Sequence, residues 1–233
     1  MPKGIGPLFG LEVDGERKNL FGTLAKAKEL ETAFVAEGCK VVIFEHSEAE
    51  IKARDAAAAN EEFMKLGVQY YATARQSAWS GLWVCGNLYH HSLEMFLKAG
   101  LSRKYSLREL RQRFGHKLIV IWNAFKADFP SPTLLEFDAT IADIAGFEDI
   151  RYPDRVLKYG VQIRIDDRSV TQQTTPSSPP EYKLDFYEID RLVGAIFDVS
   201  SLNPLFFTMG LKPDVQAMLA RDNPVAAQLL PQR

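Results

Sequence analysis

Histidine and arginine side chains give this sequence its main potential for chemistry. His90 and His91 are adjacent, and Arg111 precedes His116 with four residues between them. An imidazole can act as general acid or base near neutral pH, and a guanidinium can stabilise charge on a phosphate. Arg111 and His116 are therefore candidate catalytic residues for phosphodiester cleavage, although such a spacing arises easily in a chain with 28 lysines and arginines.

Several other side chains could contact a ligand. Glu94 and Lys98 are four residues apart, which is typical of an ion pair on one helix face and also allows a ligand contact. His90 and His91 could line a pocket or form hydrogen bonds among helices. Arg151 with its neighbours could bind phosphate and base, or form a turn fixed by the proline that follows. The ligand-binding candidates are His90, His91, Glu94, Lys98, His116, Arg151, Tyr152 and Asp154.

Composition excludes several classes of protein. The chain has 233 residues, of which 46% are hydrophobic, so it can bury a substantial core. Its net charge of -2 lacks the basic excess of a chain that coats nucleic acid non-specifically. No stretch of about 18 apolar residues and no N-terminal apolar run occurs, which predicts a cytoplasmic protein with no membrane segment.

The cysteines and glycines do not form any familiar cofactor motif. Cys39 and Cys85 are far apart and no CxxC pair exists, so neither a zinc site nor a disulfide framework is expected, and we predict no metal and no cofactor. Walker-type glycine loops and GxSxG are both absent from the sequence. The adjacent Asp166 and Asp167 follow a predicted strand and indicate a turn rather than an acid/base pair.

The first 48 residues predict a small ββαβ module. Residues 7–13 and 17–22 favour strands, and Asp14-Gly15 between them is typical of a hairpin turn. Thr23 can cap a helix over 24–37, and a third strand is predicted over 40–46. The module could pack on the rest of the chain or pair its sheet with another copy.

Residues 49–233 predict a mainly helical domain. Helical patterns cover 48–82, interrupted at Gly67, and 88–99, ended by Gly100. A capping box at Ser106-x-x-Glu109 opens the next segment, which Gly115 closes. A helix is expected from Pro132 to about Gly146, and another over 188–200. Between them, 161–166 and 182–187 alternate like strands and predict a β-hairpin insertion near 161–187 with a long polar tip.

Three motifs together resemble the HEPN family of nucleotide- and RNA-associated domains. The string GNLYHHSLEMFLKAGL at 86–101 is similar to a family helix with an aromatic-His start and a Glu-x-x-x-Lys pair. His116-Lys117-Leu118 resembles the His-x-Leu step that opens the next helix, although many relatives have Asp or Asn in place of Lys117. Phe147–Asp154 resembles the family's Arg-Tyr-Pro-Asp element. The resemblance covers roughly residues 55–200 and leaves the ββαβ module outside.

The resemblance implies an up-and-down helical bundle that is often dimeric. Active members of this family are metal-independent ribonucleases that carry an Arg and, after four to six residues, a His late in the domain. No His occurs after His116 in this chain, so that motif is absent near Arg151. The pair Arg111/His116 has the spacing but lies at the His-x-Leu step, away from the family's catalytic position.

These observations favour a non-catalytic, HEPN-like binding protein. It would form a homodimer and recognise a nucleotide, RNA or a protein partner near His91, His116 and Arg151. One alternative is a metal-independent ribonuclease, such as a toxin or defence component, that uses Arg111 and His116. Another is a structural or regulatory protein that assembles through the ββαβ module.

Overall fold

The chain has two compact units, seen in a computed structural model that describes residues 7–165, 168–172 and 178–229. The first unit is Met1–Asp55 and the second is Ala56–Arg233. A three-stranded sheet dominates the first unit, whereas the second is mainly helical. The predicted mainly helical class with a small N-terminal strand unit is therefore confirmed.

The first unit has the ββαβ order that its turn residues predict. Asp14 and Gly15 adopt positive φ values of 51° and 84°, which produce the tight turn between the first two strands. The Thr23 side chain accepts a hydrogen bond from the Lys26 amide and caps the helix. The sheet has the order β2-β1-β3 with both pairs antiparallel. Its elements are β1 Phe9–Val13, β2 Glu16–Gly22, α1 Leu24–Ala36 and β3 Val41–Glu45.

Helix α3 forms the centre of the second unit, where it packs against α5, α7 and α9. Most of its side chains are buried, including those of His90, Ser92, Glu94 and Lys98. The second unit contains α2 Glu48–Trp79, which begins in the first unit, α3 Val84–Leu101, α4 Leu107–Glu109, α5 Leu118–Asp128, α6 Pro132–Leu135, α7 Asp138–Gly146, α8 Pro153–Tyr159, α9 Phe186–Ser200, α10 Leu205–Gly210, α11 Pro213–Asp222 and α12 Pro224–Leu229.

Two glycines that were expected to interrupt helices instead allow close packing. Helix α2 continues through Gly67, and α3 continues past Gly100 to Leu101. A Cβ at position 67 would lie 2.6 Å from the Phe96 ring, and one at position 100 would lie 2.7 Å from the Phe125 ring. The predicted interruption at Gly67 was wrong because this glycine makes room for the Phe96 ring, whereas α3 ends at Leu101, one residue after the predicted stop at Gly100.

Among the described glycines, Gly86 is the one at which an added Cβ would lie nearest to another side chain. A Cβ built there would lie only 1.9 Å from the ring of Phe147, which is fully buried. Phe147 begins a 3-10 turn, Phe147–Ile150, that leads into α8. The missing side chain at position 86 therefore lets this turn lie directly against α3.

The connection between α3 and α5 includes a feature that the sequence did not predict. Ser106 and Glu109 form the expected reciprocal capping box at α4. The chain then makes a π-helical turn, Leu110–Phe114, before Gly115 reverses it with a φ of +56°. Helix α5 follows and buries Leu118, Ile121, Trp122 and Phe125.

The predicted helix from Pro132 to Gly146 is divided in two. Residues 136 and 137 separate α6 from α7, and Phe137 turns its ring into the core. Ser131 precedes the proline but makes no side-chain cap. Anchoring the Phe137 ring is the physical reason for the break.

The strands near 161–187 do not form the predicted hairpin with each other. Strand β4 (Val161–Ile165) pairs antiparallel with β5 (Arg168–Gln172) and parallel with β6 (Glu181–Leu184). The order is β5-β4-β6, so the hairpin partner of β4 is a strand within the predicted polar tip. The expected turn at Asp166 and Asp167, and residues 173–177 of that tip, lie outside the described residues.

Candidate functional site

Helix α3 brings four of the predicted ligand-binding residues together along two of its turns. Residues three and four apart lie on one helix face, so both histidines flank Glu94, and Lys98 follows one turn later. His90, Glu94 and Lys98 are buried, whereas the side chain of His91 is 23% exposed. The sequence pattern thus gave the correct grouping on α3, but it could not show that the group is largely buried.

One oxygen of Glu94 is held by two nitrogen donors. Lys98 Nζ donates to Glu94 Oε1 at 2.7 Å and to the Gly115 carbonyl at 2.6 Å. His116 Nδ1 lies 2.9 Å from the same Oε1. We assign the Nδ1 proton to this contact because a carboxylate accepts hydrogen bonds. The turn at Gly115 therefore presents His116 with its ring oriented by a buried carboxylate.

The second oxygen of Glu94 faces the other histidines. His91 Nδ1 lies 3.7 Å from Glu94 Oε2, beyond hydrogen-bond reach. His90 Nδ1 lies 3.4 Å from Glu148 Oε2, also without hydrogen-bond geometry. These three buried atoms, Glu94 Oε2, His90 Nδ1 and Glu148 Oε2, have no hydrogen-bond partner among the described residues. Buried polar atoms of this kind are rare, and each calls for a physical explanation.

The environment shifts the pKa values of Glu94 and His90 downward. Burial alone would raise the pKa of Glu94, but the neighbouring His91, Lys98 and His116 side chains lower it to about 2. Burial lowers the pKa of His90 from its usual value, although Glu148 and Glu94 oppose that effect. At neutral pH, Glu94 is therefore an anion and His90 is a neutral imidazole with a free lone pair.

Arg151 joins this group through Glu148. Arg151 Nη1 lies 3.3 Å from Glu148 Oε1, and its guanidinium lies 5.8 Å from the centroid of the Tyr152 ring. The contacts thus form one continuous series, and we call these six side chains the polar network. In order, they are His116, Glu94, His91, His90, Glu148 and Arg151.

The polar network reaches the protein surface at both ends. The side chain of His116 is 70% exposed and that of Arg151 is 41% exposed. The His116 ring therefore offers its Nε2 to solvent while a buried carboxylate fixes Nδ1. A carboxylate that orients an exposed imidazole is an arrangement suited to proton transfer or to binding of an anion.

Three of the predicted site residues do not lie at the exposed ends of the polar network. Arg111 is exposed on the π-helical turn, and no contact among the described residues joins it to His116. Asp154 is exposed in the first turn of α8, where a negative charge favours the helix N-terminus. The Lys98 side chain is almost completely buried and already donates to Glu94 and to the Gly115 carbonyl, so its ammonium orients Glu94 inside the protein.

Glu148 was missed as a site residue, although it lies within the Phe147–Asp154 motif. Its position three residues before Arg151 is a spacing that allows an ion pair in a helical turn. Its approach to His90 depends on how the 3-10 turn packs on α3. Local spacing could suggest the first contact, but only the fold produces the second.

A second polar cluster lies in the core of the helical unit and was also not predicted. The Tyr71 hydroxyl donates to Asp190 Oδ1, Arg75 Nη1 lies 3.1 Å from Asp190 Oδ2, and Asn223 Nδ2 donates to the Tyr71 oxygen at 2.6 Å. All four residues are at most 2% exposed. We call these four residues the Asp190 cluster, and its position indicates a role in holding α2, α9 and the C-terminal helices together.

A cavity of about 270 Å³ lies apart from the polar network, beside α7, β6 and α9. Asp143, Arg164, Lys183 and Glu188 are among the residues that line it. Burial raises the pKa of Asp143 there. None of the residues predicted for ligand binding is among the described residues of its wall.

Comparison with known proteins adds no family assignment. No family model, no curated protein and no solved structure matches this chain. Among the helices of the described residues, none combines the length and apolar character that a membrane span requires.

Proposed function

We propose that the helical unit is a HEPN-like module that binds the phosphate groups of a nucleotide or RNA. The observation that carries this proposal is the polar network, in which a buried carboxylate holds an exposed imidazole at one end and an exposed arginine completes the other end. The homodimer expected from the HEPN resemblance remains part of the proposal.

The charges of the network support an anionic ligand. Lys98 donates to the same Glu94 oxygen that His116 Nδ1 faces, and the exposed side of the His116 ring is left for a ligand. Arg151 pairs with Glu148 at a partly exposed site, and a phosphate offers a stronger bidentate partner for its guanidinium. The nearby Tyr152 ring is 64% exposed and could stack on a base.

Binding can be tested with fluorescently labelled single-stranded RNA and with ATP, using anisotropy at two salt concentrations in the presence of EDTA. We expect His116→Ala and Arg151→Ala each to weaken binding by roughly fivefold to tenfold, because each removes a contact worth about 1–1.5 kcal/mol. The loss of Arg151 should also reduce the salt dependence of binding.

Arg191→Ala is the matched control. Arg191 is an exposed arginine that pairs with Glu188 three residues earlier, as Arg151 does with Glu148, but it lies on α9. Its removal should leave the affinity unchanged. Equal weakening in all three variants, or no binding by the unmodified chain, would contradict the proposal.

A ribonuclease remains the second candidate because of the Glu94–His116 contact. A carboxylate that orients an imidazole is a common partner in acid/base catalysis. RNA incubated with the protein in EDTA, beside Arg111→Ala and His116→Ala variants, separates the candidates. Cleavage that disappears in both variants would favour the nuclease, and no cleavage of varied RNAs would favour the binding module.

A further inference from the structure

The two histidines and the carboxylate on α3 form a group with the composition of a metal site. One potential ligand atom from each of His90, His91 and Glu94 lies within 4.8 Å of the other two. Two imidazoles and a carboxylate suit zinc and its neighbours in the first transition series. The sequence predicted no metal site, because its two cysteines and four histidines do not supply four ligands at close spacing.

The unpartnered atoms support the same interpretation. Glu94 and His90 are at most 1% exposed, yet Glu94 Oε2 and His90 Nδ1 have no hydrogen-bond partner among the described residues. Glu94 Oε1, by contrast, is held by Lys98 and contacts His116. One carboxylate oxygen is thus fixed in place, while the other lies 3.7 Å from His91 Nδ1.

The three ligand atoms, all within 4.8 Å of one another, lie further apart than around a coordinated ion, so binding requires the side chains to move together by up to roughly 1.5 Å. Zinc bonds of about 2.0–2.2 Å in a tetrahedral arrangement place neighbouring ligand atoms roughly 3.3–3.6 Å apart. His91 Nδ1 lies 3.7 Å from Glu94 Oε2, so a small contraction would bring this pair into coordination distance. Burial also lowers the pKa of His90, which keeps its lone pair available.

We propose that His90, His91 and Glu94 bind a divalent zinc ion, with a fourth position left open to solvent or ligand. Lys98 orients Glu94 from the opposite oxygen, as outer contacts commonly do in metal sites. Glu148, 3.4 Å from His90, adds the second negative charge that offsets the ion. This inference does not depend on binding of RNA or nucleotide.

The test uses the full chain, stripped of metal with a chelator and titrated with Co²⁺, with Zn²⁺ then added as competitor. We expect one Co²⁺ per chain with the intense visible absorption of a tetrahedral site, displaced by Zn²⁺. Zinc should also raise the melting temperature, because it binds the folded chain.

His91→Asn and His116→Asn form a matched pair of variants. His91 is partly exposed, so its replacement should leave the fold intact by circular dichroism. His91→Asn should weaken Zn²⁺ binding by at least ~100-fold, whereas His116→Asn, which removes only an outer contact to Glu94 Oε1, should weaken it by only about 10-fold.

Several results would overturn the assignment. An adventitious surface site would depend on the exposed His116, so equal losses in both variants would exclude the proposed ligand set. Unchanged binding in His91→Asn, or no saturable 1:1 binding in the unmodified chain, would do the same. Glu94→Gln, which keeps the shape of the side chain, is the second variant. If zinc still raised the melting temperature of this variant, the proposed site would be contradicted.

Discussion

The helical unit contains two buried carboxylates with opposite surroundings. Glu94 and Asp190 are both essentially inaccessible to solvent, and each faces a buried cation, Lys98 or Arg75. Every member of the Asp190 cluster is at most 2% exposed. The polar network around Glu94 instead ends at the exposed side chains of His116 and Arg151.

This difference separates a structural role from a binding role. A buried charge is tolerated when its partners compensate for lost hydration, and the Asp190 cluster does so with partners from helices far apart in sequence. The polar network instead runs from a buried carboxylate to the exposed side chains of His116 and Arg151. A polar network that reaches the surface can contact a ligand, whereas a fully buried cluster cannot.

The strongest way to test this contrast is to neutralise Asp190. Asp190→Asn leaves Arg75 as a buried charge without its anionic partner, and removing one member of such a pair costs roughly 3–5 kcal/mol. Urea unfolding followed by circular dichroism should show this loss. Asp198→Asn, at an exposed position of the same helix, should change the free energy of unfolding by less than about 0.5 kcal/mol. Similar losses of stability in both variants would contradict a structural role for the Asp190 cluster.

The acid stability of the protein should depend on Glu94. Its pKa in the folded chain is about 2, below the ordinary value of 4.5, so its contribution is complete above about pH 4.5 and is lost as pH falls towards 2. Unfolding measured from pH 6 to pH 2 should show a weaker pH dependence in Glu94→Gln. Equal pH dependence in both proteins would show that Glu94 is not held as an anion.

The smallest effect on stability is expected at His116. His116→Asn removes one hydrogen bond at a mostly exposed side chain, so the free energy of unfolding should fall by no more than about 1 kcal/mol. Urea unfolding checks this value, and RNA or nucleotide binding measured on the same sample should fall at the same time. A large loss of stability with unchanged ligand binding would indicate that His116 has a structural role. It would then contradict the proposed difference between the polar network and the Asp190 cluster.

Local sequence signals predicted the elements better than the contacts between them. Asp14-Gly15, the Thr23 cap and the Ser106 capping box each act over a few residues, and the structure has all three. Gly67 was misinterpreted because a glycine that interrupts a helix and one that makes room for a ring look alike in sequence. The ring that needs this space belongs to Phe96, on another helix.

The candidate site could be predicted only in part for the same reason. Glu94 and Lys98 form an i,i+4 pair that local spacing predicts. The contact of His116 with Glu94 depends on the reversal at Gly115, and the approach of Glu148 to His90 depends on tertiary packing. The Asp190 cluster joins residues from distant helices, and nothing in local spacing indicates such a group.

The contact between Gly86 and Phe147 predicts which residues homologous sequences have at these two positions. The ring of Phe147 occupies the space of a side chain at position 86, and Phe147 directly precedes Glu148. The two positions should therefore covary: a homologue with alanine at 86 is expected to have a smaller residue at 147. A pair of substitutions such as Gly86→Ala with Phe147→Leu should be tolerated better than Gly86→Ala alone. Homologues that combine a small residue at position 86 with a matching ring or side chain at position 147 are therefore expected to keep Glu148 close to His90.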